Sequence, residues 1–446
     1  MEKLGIIYKI KQKVLANNFM KNILILVGGT VFAQGLVVLS SPLLTRMYTP
    51  EAFGILATFI AVVSILNSIV SLKYELALPL TESKKETINL FSLNFIITII
   101  ITLLYLLVFV FAGETILKGL GIVEYSTLLV WLIPVTVLFL GFTDNLTYLF
   151  VKVSRFKSIT NLKVSNSFSK VVTQVLFGII PSYPFGLILG DIVGRVVGAF
   201  VGLYSIVKYN IVNSYKMVKE NISTNEMKKV LFRFKKFPMF STPAGLINSL
   251  STHLTPVVLV FAYDPVIAGF YSLTQRVLGL PSTLVSQSIS QVYLNEAPKL
   301  LKKDISLVRN LYLKVTKNLL LFGGVPIFFL SIFGESIFSF IFGDKWADSG
   351  IYLQVLSLMF LGQFIVVPLS QTLNILNKQN IQLIWDIFRV LVSLFTIIYP
   401  SRILGLSPEL TLLIYSISIF ILYLLLYFIT LYYLKGEGNK TPEQLE

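Results

Sequence analysis

Seven ionisable side chains lie inside long apolar segments of the sequence, and they are its first candidates for chemistry. A charge at the centre of a bilayer costs at least about 2.5–3.5 kcal/mol, so such residues face protein or a wet cavity and often mark a functional site. The seven are Asp144, Lys170, Asp191, Arg195, Arg276, Asp386 and Arg389.

Four of the seven form pairs that a single helix can bring together. Asp191 and Arg195 are four residues apart, and Asp386 and Arg389 are three apart, so the members of each pair share a helix face. We interpret both pairs as structural. The carboxylates of Asp191 and Asp386 nevertheless stay candidates, with Asp144, for binding a coupling proton or sodium ion, and no other cofactor is expected.

Subtracting these pairs leaves Arg276, Lys170 and Asp144 without a partner on their own helix. Arg276 lies ten residues inside the apolar segment 266–294, and a fixed cation in a cavity favours an anionic ligand. A guanidinium binds phosphate oxygens bidentately, so we predict that Arg276, together with Lys170, binds substrate. The alternative is structural: a bridge from Arg276 to Asp144 or Asp191, or from Asp144 to Lys170.

Arg46 and Lys73 lie at opposite ends of the first two predicted spans. Side chains in such positions ordinarily extend to the membrane surface. They bind substrate only if these two spans line a cavity, in which case they form a cationic path together with Arg276. We keep both as candidate substrate-binding residues.

The composition excludes a soluble enzyme built on familiar motifs. Of the 446 residues, 55% are hydrophobic and only 13% are charged, whereas soluble domains carry about 25% charged residues. The sequence has no cysteine, hence no disulfide, no thiol nucleophile and no cysteine metal site. No P-loop, HExxH, DxD or dinucleotide motif occurs, so no catalytic residue and no metal site is predicted.

Twelve apolar segments predict an all-α, polytopic membrane protein, since about 20 residues suffice for a helix to cross. The basic stretch 208–237 divides them six and six, into lobes at 23–207 and 238–434. We predict an amphipathic cytoplasmic anchor at 1–22 and a solvated tail at 435–446. The segments are 23–45, 52–72, 88–112, 126–150, 159–181, 184–207, 238–262, 266–294, 312–334, 349–374, 380–400 and 408–434.

The segment 159–181 is the most polar of the twelve. Such polarity fits a helix that is packed inside a bundle and lines a wet space. Its polar residues are Asn161, Lys163, Asn166, Ser167, Ser169 and Lys170.

Lysine and arginine are distributed very unequally between the two sides that the spans define. With the N-terminus inside, 29 of the 37 fall in inside segments and 4 in outside loops. This bias predicts that both termini are cytoplasmic. The same bias places most of the positive charge on the cytoplasmic side, beside anionic lipids. The net charge of +15 is thereby explained without a nucleic-acid partner. Trp131 and Trp346, near the predicted outer boundaries, are interpreted as interfacial anchors.

The orientation can be tested by cysteine labelling. We expect Lys219→Cys to resist a membrane-impermeant thiol reagent in intact cells and Lys345→Cys to react with it. Because the parent chain has no cysteine, each signal has a single origin. Labelling of Lys219→Cys from outside would reverse the predicted orientation.

An internal repeat relates the two lobes. Tyr48, Pro50 and Gly54 follow the first span, and the same motif, Y-x-P-x-x-x-G, returns at Tyr263–Gly269 after the seventh. Proline suits a first helical turn, and glycine permits close approach of helices. Because six spans separate the copies, both lobes enter the membrane in the same sense. This predicts a pseudo-two-fold axis along the membrane normal with a central site between the lobes.

Several stretches of the chain resemble bacterial oligosaccharide flippases. They are LTRMYTPEAFG followed by SLKYELALPL, then DPVIAGFYSLTQRVLGLPSTLVSQSISQVY, then FGDKWADSGIYL and PLSQTLNILNKQNIQL. The resemblance implies an O-antigen or capsule repeat-unit translocase of the multidrug/oligosaccharidyl-lipid/polysaccharide exporter superfamily, with two six-helix lobes forming a V. It also implies that Arg46, Lys73 and Arg276, which fall in these stretches, are cavity cations. Lys170 is not part of the resemblance.

The activity that this resemblance implies is transport without catalysis. Sugars linked to undecaprenyl pyrophosphate would move from the inner to the outer leaflet of the bacterial cytoplasmic membrane by alternating access. The implied partners are this lipid, the bilayer and the polysaccharide polymerase machinery. Two other classes stay open. A drug or cation exporter of the superfamily should carry cavity carboxylates, and a membrane glycosyltransferase, such as a polymerase or ligase, usually needs a larger outer loop than any predicted here.

Overall fold

The computed structural model shows helices as the only regular structure in the residues that it describes, which confirms the predicted all-α class. The predicted anchor at 1–22, the tail beyond 436 and the part of the basic linker at 210–221 lie outside the described residues. The described residues are 25–119, 126–180, 185–209, 222–376 and 378–436.

Sixteen α-helices are labelled here in chain order within that described part. Short turns of other helical types join some of them, 3-10 at Tyr74–Leu80, Asp344–Trp346 and Val367–Leu369, and π at Phe237–Ser241, Gln275–Gly279 and Tyr399–Ile403. The helices are α1 (25–39), α2 (Ser41–Met47), α3 (Pro50–Val70), α4 (Lys84–Gly119), α5 (Ser126–Lys152), α6 (Phe156–Gly178), α7 (Gly186–Lys208), α8 (Thr224–Arg233), α9 (Thr242–Ala262), α10 (Pro265–Thr274), α11 (Leu280–Leu301), α12 (Ile305–Phe342), α13 (Ala347–Val366), α14 (Gln371–Ile375), α15 (Gln379–Ile398) and α16 (Pro408–Gly436).

Ten helical segments of the described chain are long and apolar enough to cross a membrane, where the sequence predicts twelve spans. The other two predicted spans are helical but more polar or interrupted. In the predicted span 159–181, α6 carries lysines, amides and hydroxyls along its length. The predicted span 266–294 is divided into α10 and α11 by the π-helical turn Gln275–Gly279.

The helices group into two compact units. The boundary after Pro243 lies near residue 238, where the second lobe is predicted to begin. The segment Ser41–Ile65, however, belongs to the second unit. The first unit comprises the described residues of Met1–Ser40, Leu66–Glu114 and Tyr125–Pro243, and the second those of Ser41–Ile65, Thr115–Glu124 and Ala244–Glu446.

In the first unit, α6 packs along α7 through a row of glycines. Gly190, Gly194, Gly198 and Gly202 recur at every fourth residue and therefore lie on one face of α7. A Cβ atom on Gly194 would stand 2.7 Å from the carbonyl oxygen of Asn166, which is closer than real Cβ atoms come. The two backbones thus approach closely, as small residues permit between membrane helices.

In the second unit, α13 packs against both α12 and α16. Its apolar residues Leu353, Leu356 and Phe360 are fully buried and follow helical spacing. Between membrane helices such packing stabilises through close van der Waals contact, because the surrounding lipid is as apolar as the side chains.

The repeated motif forms a reciprocal helix crossing inside the second unit. Pro50 begins α3, and Pro265 begins α10 directly after its N-cap residue Asp264. A Cβ atom on Gly54 would overlap the carbonyl oxygen of Pro265, and one on Gly269 would overlap that of Pro50. The two copies therefore meet in two equivalent contacts, which we call the glycine crossing. The predicted use of these glycines for close approach is confirmed.

The prediction that Trp346 is an interfacial anchor is wrong, because this side chain is 1% exposed and does not lie at a lipid surface. Its Nε1–H donates to the carbonyl oxygen of Thr45 at 2.9 Å. Its ring packs edge-on against Phe53 and Phe270, with centroids 4.9 and 6.1 Å apart. A short 3-10 turn directs this side chain into the protein, which its position near a span end does not reveal. Trp131 is 52% exposed, as an interfacial anchor requires.

Candidate substrate-binding residues

Arg276 lies in the π-helical turn between α10 and α11, and 9% of its surface is exposed. Its guanidinium carbon is 5.2 Å from the ring centroid of Phe53, within the range of a cation–π contact. Its Nη1 is 3.5 Å from Ser41 Oγ, which is a long hydrogen bond. The predicted burial of this charge is confirmed, and Phe53 places it beside the glycine crossing of the second unit.

Asp191 binds two cations at once. Its Oδ2 accepts from Arg195 Nε at 2.6 Å, which confirms the predicted pair on α7, and its Oδ1 accepts from Lys170 Nζ at 2.7 Å. The sequence left Lys170 without a partner on its own helix and kept a bridge to Asp144 as the structural alternative. The structure instead pairs Lys170 with Asp191, because the glycine row of α7 brings α6 within ion-pairing distance. These three side chains, the cationic triad, together carry one net positive charge.

Asp191→Asn should strongly destabilise the first unit. It leaves Lys170 and Arg195 close together without a carboxylate, and breaking a buried ion pair from one side costs about 3–5 kcal/mol. We expect a lower melting temperature in detergent, with partial rescue by Lys170→Met in the same chain. Glu296→Gln is the control, because its pair with Lys299 is exposed and such pairs contribute about 0–1 kcal/mol. An unchanged melting temperature for Asp191→Asn would contradict this role.

The second predicted ion pair is also present. Arg389 Nη2 is 3.3 Å from Asp386 Oδ1, and Asp386 is buried. The same guanidinium lies 4.8 Å from the ring centroid of Trp385 and donates to Ser251 Oγ. A carboxylate, a ring and a hydroxyl thus hold this cation, as expected of a structural ion pair.

Asp144 has an amide as its partner. Its Oδ2 accepts from Asn67 Nδ2 at 2.8 Å, which joins α5 to α3. Asp144 also lines a cavity of about 290 Å³ between α1, α5 and α6 of the first unit, which we call the polar cavity. Lys163, Asn166 and Ser167 bring α6 to the same space. The prediction that α6 lines a polar space is confirmed.

Arg46 and Lys73 occupy different surroundings. Arg46 lies in the last turn of α2 and is exposed, at the end of the helix where the dipole favours a cation. Lys73 has a left-handed backbone with φ 58°, and its Nζ is 3.7 Å from Glu75 Oε1. Glu75, which no sequence pattern indicated, is 2% exposed, and its Oε2 has no hydrogen-bond partner in the described chain. Substrate binding by Arg46 and Lys73 stays a prediction.

The seven predicted site residues divide between the two units. The first unit holds Lys73, Asp144, Lys170 and Asp191. The second unit holds Arg46, Arg276 and Asp386. Within the described ranges, no three His, Asp or Glu side chains lie together so that they could hold a metal ion.

The two units together have the fold of known membrane transporters. An inward-facing multidrug resistance MATE family transporter of the MOP superfamily matches with a TM-score of 0.69 and 13% identity, over 94% of this chain and 96% of its own. The lipid II flippase MurJ, in an inward closed conformation, matches with a TM-score of 0.67 and 18% identity, over 91% of this chain and 87% of its own. At these identities the likeness is one of fold.

Sequence comparison identifies the family. The sequence model of a protein family, described as "Polysaccharide biosynthesis protein", matches residues 43–350 of the chain. The chain therefore belongs to that family. It is 25% identical over 265 residues to CapF of Staphylococcus aureus, a capsular polysaccharide biosynthesis protein. The match covers 57% of this chain and 64% of CapF, which is less than two thirds of that relative. The family resemblance found in the sequence is confirmed.

Proposed function

We propose that this protein moves an oligosaccharide linked to undecaprenyl pyrophosphate across the bacterial cytoplasmic membrane. Its membership of a polysaccharide biosynthesis family and its transporter fold support the proposal. The observation that carries it is the cationic triad, in which α6 and α7 hold two cations against one carboxylate.

The physical argument concerns the charge of the lipid headgroup. A pyrophosphate is anionic, and moving it through hydrocarbon exposes that charge to a medium of low dielectric constant. A cation already fixed inside the protein offsets this cost, and the anion in turn offsets the cost of burying the cation. Arginine serves well because it stays charged without depending on pH and binds phosphate with a planar fork. Arg276 adds a buried guanidinium in the second unit.

The triad also favours this proposal over drug or cation export. A carrier of cations needs carboxylates in excess, so that an ion or a cationic drug finds a counter-charge. In the triad positive charge is in excess, because Lys170 and Arg195 share the single carboxylate of Asp191. This arrangement suits an anionic substrate.

The proposal includes a direction, a driving force and partners. The excess of lysine and arginine on one predicted side supports cytoplasmic termini and transport from the inner to the outer leaflet. Coupling to a proton or a sodium ion is proposed, with Asp144, Asp191 and Asp386 as candidate residues. The oligosaccharide would then pass to polysaccharide polymerase machinery in the outer leaflet.

Reconstitution in proteoliposomes tests the proposal. We expect a fluorescent oligosaccharide on undecaprenyl pyrophosphate to change leaflets faster than in empty liposomes, as measured by a membrane-impermeant quencher. Arg195→Met should slow this by about tenfold or more, because a hydrogen bond to a charged group contributes about 1.5–3 kcal/mol. Lys299→Met, at an exposed position, is the control for lost charge. Transport of a lipophilic cation, without movement of the lipid, would overturn the proposal.

A further inference from the structure

The polar cavity presents more hydrogen-bonding groups than the packing of its helices requires. Eight of its ten lining residues are polar. Its volume of about 290 Å³ is close to the lower limit of about 300 Å³ for ligand pockets. At about 30 Å³ for each water molecule, it has room for roughly ten waters or for one small polar ring.

The threonine hydroxyls that line the cavity already donate hydrogen bonds to backbone carbonyl oxygens of their own helices. Thr30 donates to the carbonyl oxygen of Leu26 at 2.8 Å, Thr143 to that of Leu140 at 2.8 Å and Thr147 to that of Thr143 at 2.7 Å. A hydroxyl has one proton and two lone pairs. These three oxygens can therefore only accept further hydrogen bonds.

One stronger acceptor, the carboxylate of Asp144, lines the same space. Asp144 accepts one hydrogen bond from Asn67, although a carboxylate can accept several. A ligand that donates several hydrogen bonds would satisfy the remaining lone pairs of this carboxylate and of the threonine oxygens.

Lys163 supplies charged hydrogen-bond donors to the same space, beside the amide of Asn166 and the hydroxyl of Ser167. Its Nζ donates to Thr30 Oγ1 at 3.2 Å, and an ammonium has three N–H donors. Asp144 lines the same cavity, yet no ion pair joins the two side chains in the described part of the protein. The cavity therefore holds an ammonium and a carboxylate apart, with acceptor oxygens around them.

We infer that the polar cavity binds one sugar ring of the translocated oligosaccharide. This inference rests on the proposed function and names the group that the first unit recognises. The hydroxyls of a sugar donate to Asp144 and the threonines, and one of them, or a sugar carboxylate, accepts from Lys163. A bare cation fits less well, because the ammonium of Lys163 repels it within the same small volume.

Cysteine protection measures occupancy directly, because the chain has no cysteine of its own. Ser167→Cys places a thiol in the cavity lining. Its reaction with a small thiol reagent in lipid nanodiscs is followed with glucose, N-acetylglucosamine or glucuronate present. At about ten times its Kd, a bound sugar should slow the reaction about tenfold, since only the unoccupied fraction reacts. Asn161→Cys, at an exposed position of α6, is the matched control and should not respond.

A second substitution links the protection to the proposed contacts. Lys163→Met, combined with Ser167→Cys, should raise the Kd of the protecting sugar about tenfold, because it removes a charged donor. The inference is overturned if none of the three sugars protects, if Ser167→Cys does not react in their absence, or if sodium protects and sugars do not. The last result would make the cavity a cation site. If the protein flips its lipid but sugars do not protect, only this inference fails, whereas absence of flipping contradicts the proposed function.

Discussion

Arg276→Met should abolish flipping in proteoliposomes while leaving the protein folded. The substitution keeps a long side chain to pack against Phe53 but removes the guanidinium that we propose compensates the pyrophosphate. Loss of the cation–π contact by itself costs about 0.5–2 kcal/mol, so flipping is compared below the melting temperature of the variant. Arg276→Lys should retain partial activity, because it keeps the charge and loses the bidentate fork. Flipping and melting are measured on the same preparation.

The control for this experiment is Lys299→Met, which removes one positive charge from an exposed position of α11. It should flip lipid at the rate of the parent protein. Normal flipping by Arg276→Met would remove Arg276 from the substrate site. A loss of about 3–5 kcal/mol in stability would instead identify Arg276 as one side of a buried ion pair.

Gly54→Ala and Gly269→Ala should each destabilise the second unit and reduce flipping. The added Cβ atom would overlap a backbone carbonyl oxygen, of Pro265 in one case and of Pro50 in the other. A carbonyl within a helix cannot rotate away as a side chain can, and overpacking typically costs about 1–3 kcal/mol. Melting temperature in detergent and flipping rate are the measurements.

The reciprocal geometry of the glycine crossing makes a further test possible. The double variant should lose less stability than the sum of the single variants, because the first alanine already separates the two helices. Gly35→Ala in α1 is the matched control, since no atom lies within 4 Å of its added Cβ. Melting of Gly54→Ala at the temperature of Gly35→Ala would show that the crossing is not a tight contact.

The sequence predicted those interactions whose geometry a single helix dictates. The pairs Asp191–Arg195 and Asp386–Arg389 follow from spacings of four and three residues, and both are present. The repeat of proline and glycine likewise predicted a close helix approach, because proline suits a first helical turn and glycine lets two backbones come together. The family resemblance added the fold, which the structural comparisons confirm.

Polar contacts between helices escaped prediction, since spacing along the chain does not say which side chains a neighbouring helix presents. Lys170 is bound to Asp191 because the glycine row of α7 lets α6 approach, whereas the sequence offered only Asp144 as a structural partner for it. The pairing of Asp144 with Asn67 and the burial of Glu75 are of the same kind. The polarity of 159–181 did signal a wet space, but not which helices enclose it.

Taken alone, the sequence determined that this protein is an all-helical membrane protein with basic residues buried among apolar ones, because hydropathy and charge act residue by residue. Only the tertiary structure decided which charged and polar groups meet across different helices. It gave Asp191 two cations, Asp144 an amide and Arg276 an aromatic ring. The reason is that such contacts depend on distances of a few ångströms between helices, and for the triad that distance follows from how closely the glycine row of α7 lets α6 approach.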